Sequence, residues 1–598
     1  MLPLKRTLGL TTLLIVVTAL MISPVVSAAT PGQVSPSSSG SNLNLSQSLA
    51  MAKNATLDPS NFPPANFTNL PASPPPPVPN ESPIVLKLTQ YGVVNIPYGN
   101  WETVIMNYTG YTAGTAYDYF QTVTINKAMV YIGVNPEAGA WTQFVNLSQY
   151  MSFFDHKNNI TITGPHLGLG RNFQGIQYNN ISLMFYPVMK GKLAPSEPNI
   201  VEPLFKFHGI PYGKNVSTSI NVPDNASAVV LQTIVIGNEF WYSLNPSYAA
   251  VTFSVGSHEV ATHLVYPWIN SGGIDLFTWR PIYPVYMLNH KWDNMNLTGA
   301  LGLLEKNNTL SISSPAGGEP SYSVTANLLI YTSKNVTSAA QTSYYYNQSP
   351  LKTVTQENTS VVNINGNYYT QYSQSRSIDY AYSSKVTTTT GSYSVNSRTS
   401  EYFSNNQTLT PVWQNITQTE NTQTSTVTHY HELGKIGTVV THKTLVYPLA
   451  MQLMESLTYL YNQGNLYYFN YTSLFLNVTQ GYYESNAMHS DVNGHTSMDL
   501  SVTNNLIYGT NGEFSSVLEI SPYFAIILNI TSSYHFTQKQ YTSFNLHRSG
   551  NSLYGQFYLH KLSGIEKNST SYYVQETVLT NTVNERTFGN MGDHSFPH

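Results

Sequence analysis

The sequence predicts an all-β protein of sandwich or jelly-roll type. Three observations carry that expectation. Runs of strand length rich in β-branched residues recur from Ile84 onward, turn residues (Gly, Asn, Pro) separate them at regular spacing, and long capped amphipathic helices are nearly absent. In chain order the clearest runs are TVTINKAMVYIGV from Thr122, NISLMFYPV from Asn180, SAVVLQTIVIG from Ser227, AAVTFSVG from Ala249 and YSVTANLLIYT from Tyr322. One stretch, LAMQLMESLTYLYNQG from Leu449, fits a helix or a strand equally well. Residues 337–598 are richer still in Tyr, Thr, Ser and Asn and read as a further large β domain.

The N-terminus reads as a secretory signal peptide over residues 1–28. Lys5 and Arg6 form its basic region, Leu8 to Ile22 its apolar core, and Val26-Ser27-Ala28 its small-residue cleavage site. An uncleaved anchor is the alternative. Residues 29–83, with PASPPPPVPNESP from Pro71, read as a linker that is semi-rigid where prolines cluster. Charged residues make up only 9% of the 598, with 45 Tyr and 23 Phe in their place, which suits a fold that must tolerate acid. The net charge of −4, without a basic stripe, argues against a nucleic-acid partner. Cysteine is absent, so stability rests on packing and no thiolate nucleophile is available. Sequons are dense, among them Asn44, Asn107, Asn215, Asn296 and Asn335. With the signal peptide they indicate a glycosylated protein that is secreted or held at the cell surface, and the lack of cysteine points to an archaeal source.

Four stretches carry candidate chemistry. In VLQTIVIGNEFWYSLNP a β-type run ends in Asn238, Glu239, Phe240, Trp241 and Tyr242. A carboxylate among large aromatics is either a solvated strand end or an acid whose pKa its surroundings raise. In YPWINSGGIDLFTWRP, Gly272-Gly273 permits a tight turn around which Asp275, Trp279 and Arg280 cluster, and Arg280 pairs with Asp275 or contacts a ligand. GTAYDYFQTVTI sets Asp118 between aromatics at the mouth of a strand, and VNPEAGAWTQF places Glu137 four residues before Trp141. The HYHELGK stretch groups His429, His431 and Glu432 but lacks the helical H-E-x-x-H spacing of a zinc site, so no metal is expected. GLGRN at Gly168 is not placed as a phosphate loop, and no G-x-S-x-G element is present.

In order and spacing these blocks resemble the secreted, acid-active peptide:N-glycanase A family of peptide-N4-(N-acetyl-β-glucosaminyl)asparagine amidases. NEFWYS at Asn238 is similar to the family's D-E-F-W-Y signature, and GGIDLFTWRP at Gly272 to its G-G-[IV]-[ND]-x-x-x-W-R-P block. AYDYF at Ala116, GIQYNNISLMFYP at Gly175 and YSVTANLLIYTS at Tyr322 resemble further family segments, so the likeness runs from about Asp118 to Ser333. The resemblance implies two adjacent jelly-roll domains, here 84–195 and 196–336, with the active site at their junction. It places Asp118 on the aspartate that activates water and Glu239 on the second acidic residue. Tyr119 stands where the family has an arginine and Asn238 where plant members have another acid, so the contacts of those groups would differ.

The chemistry that the resemblance implies needs such residues. Cleaving the amide between asparagine and N-acetylglucosamine requires a base for water, an acid for the departing glycosylamine nitrogen and a donor for the developing oxyanion. Two carboxylates in unlike environments can divide the first two roles. Arg280 could clamp the sugar or serve the oxyanion. Trp141, Trp241 and Trp279 offer flat faces to a pyranose, with Asp275 and Glu137 as further substrate contacts. No cofactor is expected, and the partners would be N-glycosylated proteins or glycopeptides. The rivals are a non-catalytic glycan-binding or cell-surface β protein, which Tyr119 favours, and a secreted acid protease, which would not explain both family blocks. A Cys-His-Asp glycan amidase is excluded by the absence of cysteine.

Overall fold

The computed structural model describes residues 82–585 except 114–119, 135–138, 155–158, 173–174, 189–197, 212, 238–249, 265–291, 307–308, 315–320, 359–368, 410–412, 433, 464–465, 493–494, 521–524 and 549–569. The described chain is almost entirely antiparallel β structure, as its β-branched runs predict. No helix among the described residues is long and apolar enough to cross a membrane.

Nine strands build a first sandwich: β1 Ile84–Lys87, β2 Gly92–Asn95, β3 Trp101–Ala113, β4 Phe120–Ile125, β5 Ala128–Val134, β6 Gly139–Asn146, β7 Asn159–Thr163, β8 Gly168–Asn172 and β9 Gly175–Pro187. One sheet runs β1-β9-β3-β6 with β8 on β9, and the facing sheet runs β2-β7-β4-β5. Period-2 alternation turns Val104, Met106 and Tyr108 of β3, with their cross-strand partners Phe185, Leu183 and Ile181 of β9, toward Val123 and Ile125 of β4. The run TVTINKAMVYIGV is a hairpin rather than one strand. Asn126 and Lys127 take φ of 49° and 74°, the left-handed pair that a two-residue primed turn requires. Asn126 also holds Thr161, donating to its carbonyl at 2.8 Å and accepting from its N–H at 2.9 Å. The GLGRN stretch is strand β8.

A second sandwich follows: β10 Ile200–Pro211, β11 Asn215–Ser219, β12 Ala226–Gly237, β13 Ala250–Val255, β14 His258–Leu264, β15 Asp293–Asn296, β16 Thr309–Ser313 and β17 Ser321–Thr332. Its sheets run β10-β17-β12-β15 and β11-β16-β13-β14. Val229 and Leu231 face Val251, Phe253, Leu310 and Ile312 across its core.

The rest of the described chain forms one ten-stranded sheet: β18 Val336–Gln348, β19 Lys352–Asn358, β20 Tyr369–Thr388, β21 Gly391–Leu409, β22 Trp413–Glu432, β23 Lys435–Gln463, β24 Leu466–Val492, β25 His495–Ile520, β26 Ala525–Arg548 and β27 Thr570–Glu585. The stretch from Leu449 that fitted helix or strand lies in β23, which is 29 residues long. There the ladder to its neighbours outweighs the local helical pattern. His429 and His431 lie on β22, with His429 Nδ1 3.1 Å from Thr438 Oγ1.

This sheet shares one continuous core with the second sandwich, because Tyr380, Tyr382, Val395 and Phe403 pack among that sandwich's apolar residues. Hydrogen bonds fix the docking. Ser384 Oγ donates to Gly299 O at 2.8 Å, Tyr393 OH to Ser227 O at 3.0 Å and Tyr382 OH to Asn296 O at 3.3 Å. The helical turn Leu301–Leu304 lies so close to β18 that a Cβ on Gly302 would come 2.1 Å from Gln341 N.

Buried polar groups lie in the same contact. Asp293 accepts from Lys443 Nζ at 2.9 Å, and His263 Nδ1 is 3.3 Å away. Burial works to raise the Asp293 carboxyl, but Lys443 and His263 more than offset it and hold it below the usual carboxylate range. Among the described residues Glu401 and Glu420 accept only from neutral donors: Tyr380 OH at 3.1 Å and Gln418 Nε2 at 3.0 Å. Their Oε2 atoms have no hydrogen-bond partner among the described residues. Burial pushes Glu420 up to about 8, and Glu401 rises well above the ordinary value through burial, with Asp293 and Glu420 adding to it.

Gly302→Ala should force backbone apart where a Cβ would meet Gln341 N at 2.1 Å, lowering the thermal midpoint and exposing the sheet-to-sandwich contact to proteolysis. Glu420 binds its proton more tightly folded than unfolded. Its stabilising contribution is complete below about 4.5 and is lost as pH rises through about 8. Denaturant unfolding across that window should show stability falling with pH, at up to about 1.4 kcal/mol per unit for each proton. Glu420→Gln should flatten the slope, and an unchanged slope would contradict the assignment.

Candidate active site

The residues expected to form the site fall mostly on segments outside the described residues: Asp118 and Tyr119, Glu137, Asn238, Glu239 and Trp241, and Asp275, Trp279 and Arg280. Trp141 lies on β6, its backbone opposite Gly110 of β3. The strand ends that flank these segments are described.

In the first sandwich Phe120 pairs with Val134, Thr112 with Gly139 and Ala113 with Ile176. Residues 114–119 and 135–138 therefore leave from one end of that sandwich. In the second, Gly237 pairs with Tyr322 and Ala250 with Leu264, so residues 238–249 and 265–291 also share one end. The sandwiches touch close to both ends. Met129 and Ile132 of β5 form a buried cluster with Ile234 of β12, and Trp292, the first described residue after 265–291, packs against it. At about 3.3 Å per residue, Val134 lies ~7 Å beyond Ile132 and Gly237 ~10 Å beyond Ile234.

A polar layer joins the sandwiches beneath that cluster. Asn327 Nδ2 donates to the Met129 carbonyl at 2.9 Å and to Gln232 Oε1 at 3.2 Å. Tyr150 OH donates to the same Gln232 oxygen, and Gln232 Nε2 donates to Gln149 Oε1 at 2.5 Å and Asn294 Oδ1 at 3.3 Å. Thr325 Oγ1 reaches Met129 Sδ at 3.5 Å. β5 is an edge strand, so its outward Met129 carbonyl must find side-chain donors: Asn327 is the near one, and Tyr150 OH lies 3.5 Å away. Burial raises Tyr150, against the opposing bonds of Asn327 and Gln232, so it stays a neutral donor. A second polar group sits at the end of the first sandwich from which residues 114–119 leave. Tyr108 OH donates to Asn179 Oδ1 at 2.8 Å and also to Gln121 Oε1, and Asn179 Nδ2 donates to His166 O at 2.9 Å. Sequence reasoning passed over both layers. Part of their signal was available: Gln232 and Asn327 are amides inside runs otherwise rich in apolar residues.

The architecture is thus two antiparallel β-sandwiches in contact, with the segments that carry the expected acids rooted beside that contact. Residues 82–349 match the family model described as peptide N-acetyl-beta-D-glucosaminyl asparaginase amidase A, which bears out the resemblance over that stretch. Among solved structures, a recombinant peptide:N-glycanase F is similar at 12% identity and a TM-score of 0.31, covering 42% of this chain and 96% of that one. A peptide-N(4)-(N-acetyl-beta-D-glucosaminyl)asparagine amidase structure is similar at 13% identity and a TM-score of 0.29, with the same coverages of 42% and 96%. PNGF-II is similar at 11% identity and a TM-score of 0.30, covering 42% of this chain and 66% of that one. A search of curated proteins gives no match.

Asn327→Ala should remove the nearer donor to the Met129 carbonyl, leaving Tyr150 OH at 3.5 Å, together with the bond to Gln232, and cost roughly 1–3 kcal/mol in urea unfolding. A change indistinguishable from zero would mean that the polar layer does not fasten the sandwiches.

Proposed function

We propose that this chain is a secreted amidase that hydrolyses the amide between asparagine and N-acetylglucosamine of N-glycans. The products would be the free glycosylamine and a peptide with aspartate at the glycan site. The observation that carries the reading is the family match over residues 82–349, which spans both sandwiches and every expected site residue. The anchoring of the four site segments near the Met129, Ile132 and Ile234 cluster supports it.

In this reading Asp118 takes the proton of the attacking water, and the new C–O bond forms at the side-chain carbonyl of the substrate. Glu239, followed in sequence by Phe240, Trp241 and Tyr242, would lose hydration among such aromatics, keep its proton and pass it to the departing nitrogen. Arg280 meets the developing oxyanion or the sugar, and Trp141, Trp241 and Trp279 take pyranose faces, with Asp275 and Glu137 as polar contacts. Tyr119 favours a second reading, a glycan-binding protein without turnover, because it replaces the family's arginine.

Incubation with a glycopeptide, followed by mass measurement, tests the reaction. The peptide should gain aspartate at the glycan site, whereas binding without that product would select the second reading. Asp118→Asn should lower turnover by about 10²- to 10⁴-fold while leaving glycopeptide binding in place. Activity should peak below neutrality and fall as pH rises through the Glu239 pKa. Glu239→Gln should remove that alkaline limb together with most activity, and a wild-type rate still climbing at about pH 9 would reject Glu239 as the acid.

A further inference from the structure

The ten-stranded sheet has two chemically distinct faces. Its inner face carries Tyr380, Glu401 and Glu420, all buried. Strand register assigns the sheet's sequons to the other face. Asn406 lies opposite Ser373 and Thr417, and Asn347 opposite Asp379, one residue out of phase with the stacked pair of half-buried Tyr346 and buried Tyr380. Asn415, Gln452 and Asn477 form one cross-strand row, and Asn470, Val517 and Asn529 another. Where side-chain exposure is described, at Asn347, Asn406 and Asn415, the residue is exposed. In N-x-[ST] on a strand, the asparagine and the hydroxyl residue share a face while x occupies the other. The x residues Gln407 and Ile416 are accordingly buried.

A second regularity points to the same ligand. An aromatic residue stands two positions before four of these asparagines: Tyr345 before Asn347, Trp413 before Asn415, Tyr468 before Asn470 and Phe475 before Asn477. Period 2 puts Tyr345 on the same face as Asn347. Tyr345 remains 49% exposed, a large aromatic surface left to water in a strand whose alternate residues pack inward. A pyranose attached two residues away can lay its apolar C–H face on such a ring.

We propose that the outer face of this sheet is a one-sided carrier of N-linked oligosaccharides, attached at these asparagines and packed on the aromatics before them. Attachment uses a lipid-linked oligosaccharide whose leaving group is a phosphate. The bond from sugar C1 to asparagine Nδ2 forms, the C1–O bond to phosphate breaks with its electron pair going to the phosphate, and Nδ2 gives up one proton. The sugars then hydrate a large β surface that has few charges of its own, while the inner face stays free to pack on protein.

Intact-glycopeptide mapping of the full chain from an N-glycosylating host tests this. It is run on the wild type and on Asp118→Asn, so that self-cleavage under the amidase reading is not mistaken for absence of attachment. Sugar at Asn406, Asn415 and Asn477 is expected, and bare asparagine at all three in both chains overturns the proposal. Gln407→Thr creates a sequon at Asn405, which is fully buried on the inner face. Folded Gln407→Thr protein should carry sugar at Asn406 and none at Asn405, and equal occupancy would overturn the one-sidedness. If that variant fails to fold, the wild-type map still decides. Tyr345→Ala should shrink the difference in thermal midpoint between chains with and without the Asn347 sugar, and an unchanged difference would reject the stacking.

Discussion

Leu328 and Leu329 are neighbours on β17, yet they are buried in two different cores. Leu328 packs inside the second sandwich, whereas Leu329 joins the core of the first, together with Val201 of β10 and with Val230 of β12 packed alongside. The sheet β10-β17-β12-β15 must therefore bury both of its faces. That constraint makes the two sandwiches adjacent, and the ends of their strands inherit their proximity from it. At roughly 25 cal/mol per Å² of apolar surface, a second buried face is a large gain for a chain that has no disulfide to hold it.

A face that is apolar throughout could slide. Along this one, the row of Val201, Leu329 and Val230 is followed by Asn327 and Gln232, then by Thr325 and Ile234. The amides have partners only in one arrangement, with Tyr150 OH and the Met129 carbonyl in reach. Displacement by one pair would strand buried polar groups at a cost of about 1–3 kcal/mol each. The apolar rows thus supply the adhesion and the polar row supplies the register.

The long sheet meets the second sandwich by a different balance. Among the described residues Asp293 has cationic company there, from Lys443 and His263, while Glu401 and Glu420 sit among neutral donors and keep their protons. In a chain with 9% charged residues, carboxyls that are neutral when folded are compatible with acid, in which most folds lose paired carboxylates.

The sequence by itself determined the fold class, because alternation and β-branching act within a few residues. The runs SAVVLQTIVIG and YSVTANLLIYT were legible as strands for the same reason, but that their sheet is covered on both sides was not. Asp118, Glu239 and Arg280 were singled out in the same way, by unusual residue types at strand ends. The hairpin at Asn126–Lys127 was missed because neither residue is glycine, and the strand at Leu449 was left open because its pattern suits a helix as well. Only the tertiary structure decided that Gln232, Asn327 and Tyr150 belong to one layer, that Lys443 reaches Asp293 across 150 residues, and which face each sequon of the long sheet occupies. Those outcomes depend on register between strands far apart in the chain. A shift of one residue would reverse every face without changing any local preference.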